Sequence, residues 1–286
     1  MQVRKISGFH IVIHVVMIIS LLVWILPFLF MIAVSFSSPA AILNNRVSFW
    51  PVEFTTNAYE TIFNQPTFFR AYGNTIVYTI VGTIIAMIMT ICFAYPLSKS
   101  FLKGHRFVLK LVIFSMFFGG GLIPNYLLIS SLGLTGTRMA MFIPFAINQF
   151  NLIILMNFFR GIPNELEEAA LIDGLGYFGI LRRIVIPLSG PALATIGLYY
   201  AVFFWNDWFN ALIYLNTPQH PVMLLLRNIV NTTAVLGETS GSADKSTVGI
   251  SIKAAVIITS TLPIIILYPF LQKYFVKGIT LGAVKG

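Results

Sequence analysis

The chain has 286 residues, of which 57% are hydrophobic and only 9% are charged. A soluble domain usually carries about 25% charged residues, so this sequence has too few charges to cover a globular surface in water. The formal net charge is +9, but the 18 basic residues are scattered rather than gathered on one segment, which argues against nucleic-acid binding. The one cysteine, Cys92, excludes an internal disulfide and a multi-cysteine metal site.

Six long apolar windows dominate the sequence, and each can cross a hydrocarbon core of about 30 Å. They are residues 11–36, 74–97, 107–131, 139–159, 189–215 and 253–276. The first follows Arg4 and Lys5 without an early small-residue cleavage site, so we expect a retained span rather than a signal peptide. The sequence therefore predicts an all-α membrane protein with about six transmembrane helices.

The basic residues between these windows indicate the orientation, because loops facing the cytoplasm retain Lys and Arg. With the N-terminus inside, 12 of the 18 basic residues fall on the inner segments and 6 on the outer ones. An even number of spans then places both termini in the cytoplasm. The chain is therefore expected to pass several times through a membrane.

Helix-breaking residues recur inside the windows, including Pro27, Pro124, Pro144, Pro263, Pro269 and the glycine run 119–121. They predict bent or broken helices. Irregular backbone of this kind can line a translocation pathway, and it can equally reflect packing that tolerates kinks. Both interpretations stay open from the sequence.

Acidic residues cluster only in the segment 160–188, between the fourth and fifth windows. Asn164 can cap a helix whose third residue is Glu167, which predicts a short helix over about 165–173. Gly174 and Gly176 supply a stop, and a second short helix over 177–185 is expected to end at Pro187. The segment is thus predicted to form an elbow on the cytoplasmic side that docks another protein.

This elbow carries a spaced pattern that resembles the EAA loop of binding-protein-dependent ABC importer permeases. The pattern is Glu168-Ala169-Ala170, three residues, Gly174, nine residues, Ile184, one residue, and Ile186-Pro187, where Ile186 stands in place of the usual Leu. The resemblance implies a coupling helix that sits in a groove of a cytoplasmic ATPase. The residues that it assigns to ATPase coupling are Glu168, Ala169, Ala170, Asp173, Gly174, Ile184 and Pro187.

The resemblance covers essentially the whole chain and is strongest to the type I carbohydrate-uptake permeases, including the maltose-type second permease. It implies an N-terminal span and first extracytoplasmic loop over 1–73 and a permease domain over 74–286, with a C-terminal tail at 276–286 that reaches the ATPase. The glycine run with Leu122, Ile123 and Pro124 resembles the branch linked with complex oligosaccharides and polysaccharides. Implied partners are a second, non-identical permease, an ATPase dimer, an extracytoplasmic sugar-binding protein and the lipid bilayer. The implied location is the bacterial cytoplasmic membrane.

A polar and aromatic cluster in the fifth window is the candidate substrate pathway, and it is similar to the Trp-Asn motif of these permeases. Sugars need hydrogen-bonding groups for their hydroxyls and aromatic faces for their C–H surfaces. An ionisable residue in a span is also a functional candidate by default. The candidates are Tyr200, Trp205, Asn206, Asp207, Trp208 and Asn210. The alternative is that the tryptophans form an interfacial belt while Asp207 fixes helix packing.

We expect no enzymatic activity in this chain, because it contains no Gly-rich phosphate loop ending in Lys and Ser or Thr. ATP and Mg²⁺ are expected on the partner ATPase, with no cofactor or metal bound here. Two alternatives remain: an ion-coupled secondary transporter, for which few intramembrane acids are available, and an ABC permease for a non-sugar solute.

Overall fold

The computed structural model describes residues 8–239, 249–266 and 269, without the side chains of 10, 11 and 232–239. Every regular element in this part of the chain is helical. The helices are α1 Gly8–Ser35, α2 Pro39–Leu43, α3 Asn57–Phe63, α4 Pro66–Ser98, α5 His105–Phe117, α6 Leu122–Ser131, α7 Gln149–Arg160, α8 Asn164–Ile172, α9 Tyr177–Ile180, α10 Ile186–Leu188, α11 Gly190–Asn206, α12 Phe209–Tyr214, α13 Val222–Thr239 and α14 Gly249–Ile266.

Three of the described helices are long and apolar enough to cross a membrane. They are α4, α14 and the part of α1 from Val12 to Ser35. Two further helix pairs pass the same test only jointly, so the described residues hold up to five spans. The sixth apolar window, 253–276, begins in α14 and continues beyond the described residues. The predicted tail 276–286 lies entirely outside them.

The predicted breaks in the apolar windows are confirmed at the glycine run. The third window separates there into α5 and α6, which meet at 118°. Gly121 has φ of +88°, a backbone conformation that costs glycine little and other residues considerably more. The run of glycines therefore turns the chain where the sequence predicted one span.

The fourth apolar window is less helical than predicted. A single 3₁₀ turn, Arg138–Met141, opens it, and α7 begins only at Gln149 rather than near residue 139. Asn148 caps this helix, because its side-chain oxygen accepts a hydrogen bond from the Asn151 amide. Pro144 lies between the two elements, and it cannot donate a backbone hydrogen bond there. The apolar composition therefore did not reveal that residues 142–148 are not helical.

The chain divides into two compact units, one of which holds the described residues up to Phe68 and those from Leu226 to Leu262. In this unit Ser38 caps α2 and also donates to Glu53 at 2.5 Å, while Arg46 pairs with Glu53 at 2.9 Å. The Ser38 hydrogen bond, with help from Arg46, holds the pKa of the Glu53 carboxyl below its ordinary value. These exposed contacts fix the loop between α2 and α3.

The other unit holds the described residues from Phe69 to Leu225 and has its main core where α4, α7 and α11 pack together. Gly82 of α4 leaves room for the ring of Phe204 on α11, since a Cβ there would lie 2.8 Å from that ring. Phe204 is fully buried, so its ring has little room to move aside. Gly82 is therefore required by packing.

Replacing Gly82 by alanine should destabilise the protein, whereas Gly197→Ala should not. Overpacking a filled core costs about 1–3 kcal/mol, which exceeds the helix-propensity gain of about 1 kcal/mol from Gly to Ala. A Cβ on Gly197 meets only Met87 Sδ at 3.8 Å, an ordinary contact. Thermal unfolding in detergent should show a fall of several degrees in Tm for Gly82→Ala alone. Equal Tm values for the two variants would contradict this packing.

Candidate functional site

The first arm of the elbow is α8, Asn164–Ile172, as the sequence predicted to within a residue. The predicted capping by Asn164 is wrong: Pro163 is the N-cap residue, Asn164 is the first helical residue, and α8 has no side-chain cap. Glu167 does not fold back on the helix start, because its carboxylate is taken by Lys99 at 2.5 Å. A tertiary ion pair therefore replaces the local capping box.

Gly174 ends this arm with a Schellman motif. Its amide donates to Leu171 O at 3.0 Å, and the Leu175 amide donates to Ala170 O at 2.9 Å. This geometry places Gly174 at φ of +81°, in the left-handed region that favours glycine. The predicted helix stop is thus present, and of the two glycines proposed for it, Gly174 is the one that adopts the left-handed conformation.

The second arm does not end at Pro187 as predicted. It runs from α9 through a π-helical turn, Leu181–Val185, into α10 and ends at Ser189. In this turn the Ile186 amide reaches back to Leu181 O, five residues earlier. The wider turn accommodates a proline, which has no amide to donate and would clash with the carbonyl four residues before it. The arm then meets α11 at 84°.

The elbow exposes most, but not all, of the residues that the resemblance assigns to ATPase coupling. Ala170 is buried in the core of this chain and Ile184 is half-buried against it, whereas Glu168, Ala169, Asp173 and Pro187 are exposed. Two large apolar side chains also protrude: Ile172 is 86% exposed and Phe178 is 76% exposed. Sequence reasoning missed both, although apolar residues beside an acidic cluster could have drawn attention to them.

A polar cavity of about 590 Å³ lies between the elbow and the end of α4. Lys99 and Glu167 meet there, and both side chains are only 9% exposed. Arg160 donates to Leu97 O at 3.2 Å and lies 2.7 Å from His105 Nε2. The elbow is therefore connected to the end of α4 by charged groups.

The predicted pathway residues between Trp205 and Asn210 form the break between α11 and α12. Asp207 is 8% exposed, and its carboxylate accepts hydrogen bonds from the Asn210 amide and side chain at 3.0–3.1 Å. Asn206 donates to Val202 O, and Trp205 packs edge-on against Tyr72 at 5.8 Å. Trp208 packs against the buried cluster around Tyr78. These contacts hold the break together.

Tyr200 lies one turn earlier on α11, where its hydroxyl joins three elements. It accepts a hydrogen bond from the Asn148 amide at 2.9 Å and lies 2.7 Å from Thr90 Oγ1 on α4. Its side chain is 2% exposed. Tyr200 therefore fixes the start of α7 against α4 and α11.

A cavity of about 530 Å³ opens beside Tyr200, between the start of α7 and one face of α11. Its lining combines amides with aromatic rings: Pro144, Phe145, Ile147, Asn148, Gln149, Phe150, Asn151, Tyr199, Tyr200 and Phe203. Among the described residues, the side chains of Gln149 and Tyr199 make no hydrogen bond, which leaves their polar atoms available to a ligand. The predicted Trp205–Asn210 residues are not among the residues that line this cavity.

Known proteins resemble this chain over nearly its whole length, although no family model matches it. It is 48% identical to Protein LplC of Bacillus subtilis over 92% of this chain and 90% of that protein. It is 40% identical to the polygalacturonan/rhamnogalacturonan transport system permease protein YtcP of the same organism, over 97% and 98%. It is 31% identical to the trehalose/maltose permease MalG of Thermococcus litoralis, over 94% of each chain.

A solved structure supports the same relationship. A chain of a bacterial ABC transporter that imports the acidic polysaccharide alginate superposes with a TM-score of 0.85 at 34% identity, covering 96% of this chain and 99% of that one. The all-helical fold and the apolar helices agree with this relationship. The chain belongs to the permease subunits of ABC carbohydrate importers, and it is a membrane protein.

Proposed function

We propose that this permease moves an oligosaccharide into the cell, driven by ATP that a separate subunit hydrolyses, and that its elbow receives the driving motion. The observation that carries the proposal is the exposed surface of the elbow. Ile172 lies one helical turn after the exposed Glu168 on α8, and Phe178 protrudes from the second arm of the elbow on α9. Large exposed apolar side chains on a segment rich in charged residues are of the type that a partner protein buries at an interface.

The orientation follows from the basic residues. The two-to-one excess of Lys and Arg on one set of segments supports a cytoplasmic location for both termini and the elbow, the side on which the proposed ATPase lies. The partners in this proposal are a second permease, an ATPase dimer that binds ATP and Mg²⁺, and an extracytoplasmic sugar-binding protein. A structure related in fold, at 16% identity, is an alginate ABC transporter in complex with a pentasaccharide-bound periplasmic protein.

The sugar pathway passes the cavity beside Tyr200 in this proposal. Gln149 and Tyr199 supply hydrogen-bonding groups, while Phe145 and Phe203 supply aromatic faces for the C–H surfaces of sugar rings. The volume of about 530 Å³ lies within the range of about 300–1,000 Å³ that is usual for small-molecule pockets. Asp207 and Trp205 then act on the pathway indirectly, by holding the helix break.

Gln149→Leu tests this assignment, because leucine preserves most of the volume and removes the polar atoms. Losing a hydrogen bond to the passing sugar costs about 0.5–1.5 kcal/mol, so the maximal uptake rate should fall about 2- to 10-fold. Asn206→Leu is the control, since within the described part of the chain the Asn206 side chain donates only to Val202 O of its own helix. Uptake that falls for Asn206→Leu and not for Gln149→Leu would place the pathway at the helix break instead.

The function itself is tested by uptake into vesicles that contain the complete complex. We expect radiolabelled oligosaccharide to accumulate only with internal ATP and the loaded binding protein. The purified chain without its ATPase should hydrolyse no ATP. Uptake that continues after ATP depletion, with the membrane potential held, would favour a secondary transporter. Competition by amino acids or peptides instead of sugars would favour a non-sugar ABC permease.

A further inference from the structure

A buried ion pair connects the elbow to a membrane-spanning helix. Lys99 Nζ lies 2.5 Å from Glu167 Oε1, and the two residues are separated by 68 positions in the chain. Both side chains are 9% exposed, and the Lys99 ammonium also lies 5.2 Å from the centre of the Tyr95 ring. Lys99 directly follows α4, and Glu167 lies in the middle of α8.

Stability alone is a weak reason for such a pair. Removing two charges from water is costly, and apolar residues of similar size often stabilise a protein as well or better. An exposed ion pair has a smaller desolvation penalty, and this chain has one: Arg46 and Glu53 pair at 2.9 Å with side chains that are 58% and 48% exposed. A buried pair does fix one relative placement of its two elements, since either charge left alone would be heavily penalised.

Hydrogen bonds also connect α4 to the wall of the cavity beside Tyr200. Thr90 lies nine residues before Lys99, or about 13 Å along the helix at a rise of about 1.5 Å per residue. The Thr90 hydroxyl oxygen lies 2.7 Å from the Tyr200 hydroxyl oxygen. The Tyr200 hydroxyl also accepts a hydrogen bond from the backbone amide of Asn148, and both residues line the cavity. Because α4 runs between these two contacts and continues as a helix through Pro96, it can carry a displacement from one to the other.

We propose that Lys99 and Glu167 are positioning residues that transmit movement of the elbow to α4, and through α4 to the wall of the sugar cavity. This inference rests on the proposed function, since it requires the elbow to be moved by an ATPase. Closure of the ATPase displaces α8, the buried pair keeps the end of α4 at α8, and α4 shifts against Tyr200. Neither residue touches sugar or ATP.

The decisive variant removes both charges, Lys99→Met together with Glu167→Met, so that neither charge is left buried and alone. It is made in the complete complex with the second permease, the ATPase and the binding protein. We expect normal assembly and at least about a tenfold loss of sugar taken up per ATP hydrolysed, within the usual range of coupling between sites. The reversed pair, Lys99→Glu with Glu167→Lys, should recover most of this ratio. Arg46→Met is the matched control and should leave it unchanged.

The outcomes separate transmission from folding. Wild-type uptake per ATP in the doubly neutral variant would overturn the inference, as would its failure to assemble, which would show that the pair serves folding. A well-assembled reversed pair without recovery would overturn it too. ATP-dependent uptake by the wild-type complex is measured first, because its absence would contradict the proposed function rather than this pair alone.

Discussion

Gly174→Val should uncouple ATP hydrolysis from sugar uptake while leaving the chain inserted in the membrane. The left-handed conformation at φ of +81° costs a residue with a Cβ about 1–2 kcal/mol, and a β-branched residue more. The Schellman hydrogen bonds at the end of α8 would then break, and the exposed surface of the elbow would change direction. A loss of 1–2 kcal/mol corresponds to about a 5- to 30-fold effect, measured as uptake per ATP hydrolysed.

Gly176→Val is the matched control, two residues further along the elbow. Gly176 has φ of −76° and ψ of 166°, a conformation that any residue adopts, and neither glycine has an atom within 4 Å of a Cβ built on it. The two variants therefore add the same bulk to open space and differ in backbone strain. Equal uncoupling by both would show that the surface, and not the turn at Gly174, is what matters.

Truncating the exposed apolar side chains of the elbow should release the ATPase. Phe178→Ala and Ile172→Ala remove side chains that are 76% and 86% exposed, so they should not disturb the core of this chain. Buried interface anchors of this kind cost at least about 2 kcal/mol when truncated, or about 30-fold in affinity. The measurement is the amount of ATPase that co-purifies with the tagged permease at increasing detergent wash.

Trp50→Ala provides the control for this experiment. Trp50 is 82% exposed in the loop that the proposed topology places outside the cell. Its truncation removes at least as much aromatic surface and should leave the ATPase bound. Normal retention of the ATPase by both elbow variants would contradict the proposed docking surface.

Features encoded locally could be predicted from the sequence. Apolar windows of membrane length identified the regions of α1, α4 and α14, and the glycine run identified the break between α5 and α6. The spaced pattern from Glu168 to Pro187 located the elbow, because helix ends depend on neighbouring residues. The π-helical turn before Pro187 was not predicted, because a proline in the sequence indicates a helix end as readily as a widened turn.

Features that depend on distant contacts could not be predicted. Nothing near Glu167 in sequence indicates that its partner is Lys99, so a local capping box was the natural expectation. Apolar composition could not separate Ala170, which is buried, from Ile172, which is exposed two positions later. The cavity likewise requires the start of α7 to face α11, whereas the composition of α11 drew attention to its polar end.

Co-purification from the native membrane tests the central claim most directly. The permease is tagged, extracted in mild detergent, and its stoichiometric partners are identified by mass spectrometry. We predict recovery of one second permease and an ATPase, together with a sugar-binding protein when the sugar is supplied. Recovery of this chain alone under conditions that preserve other ABC importers, with no ATPase, would contradict the claim that it is the permease of an ATP-driven importer.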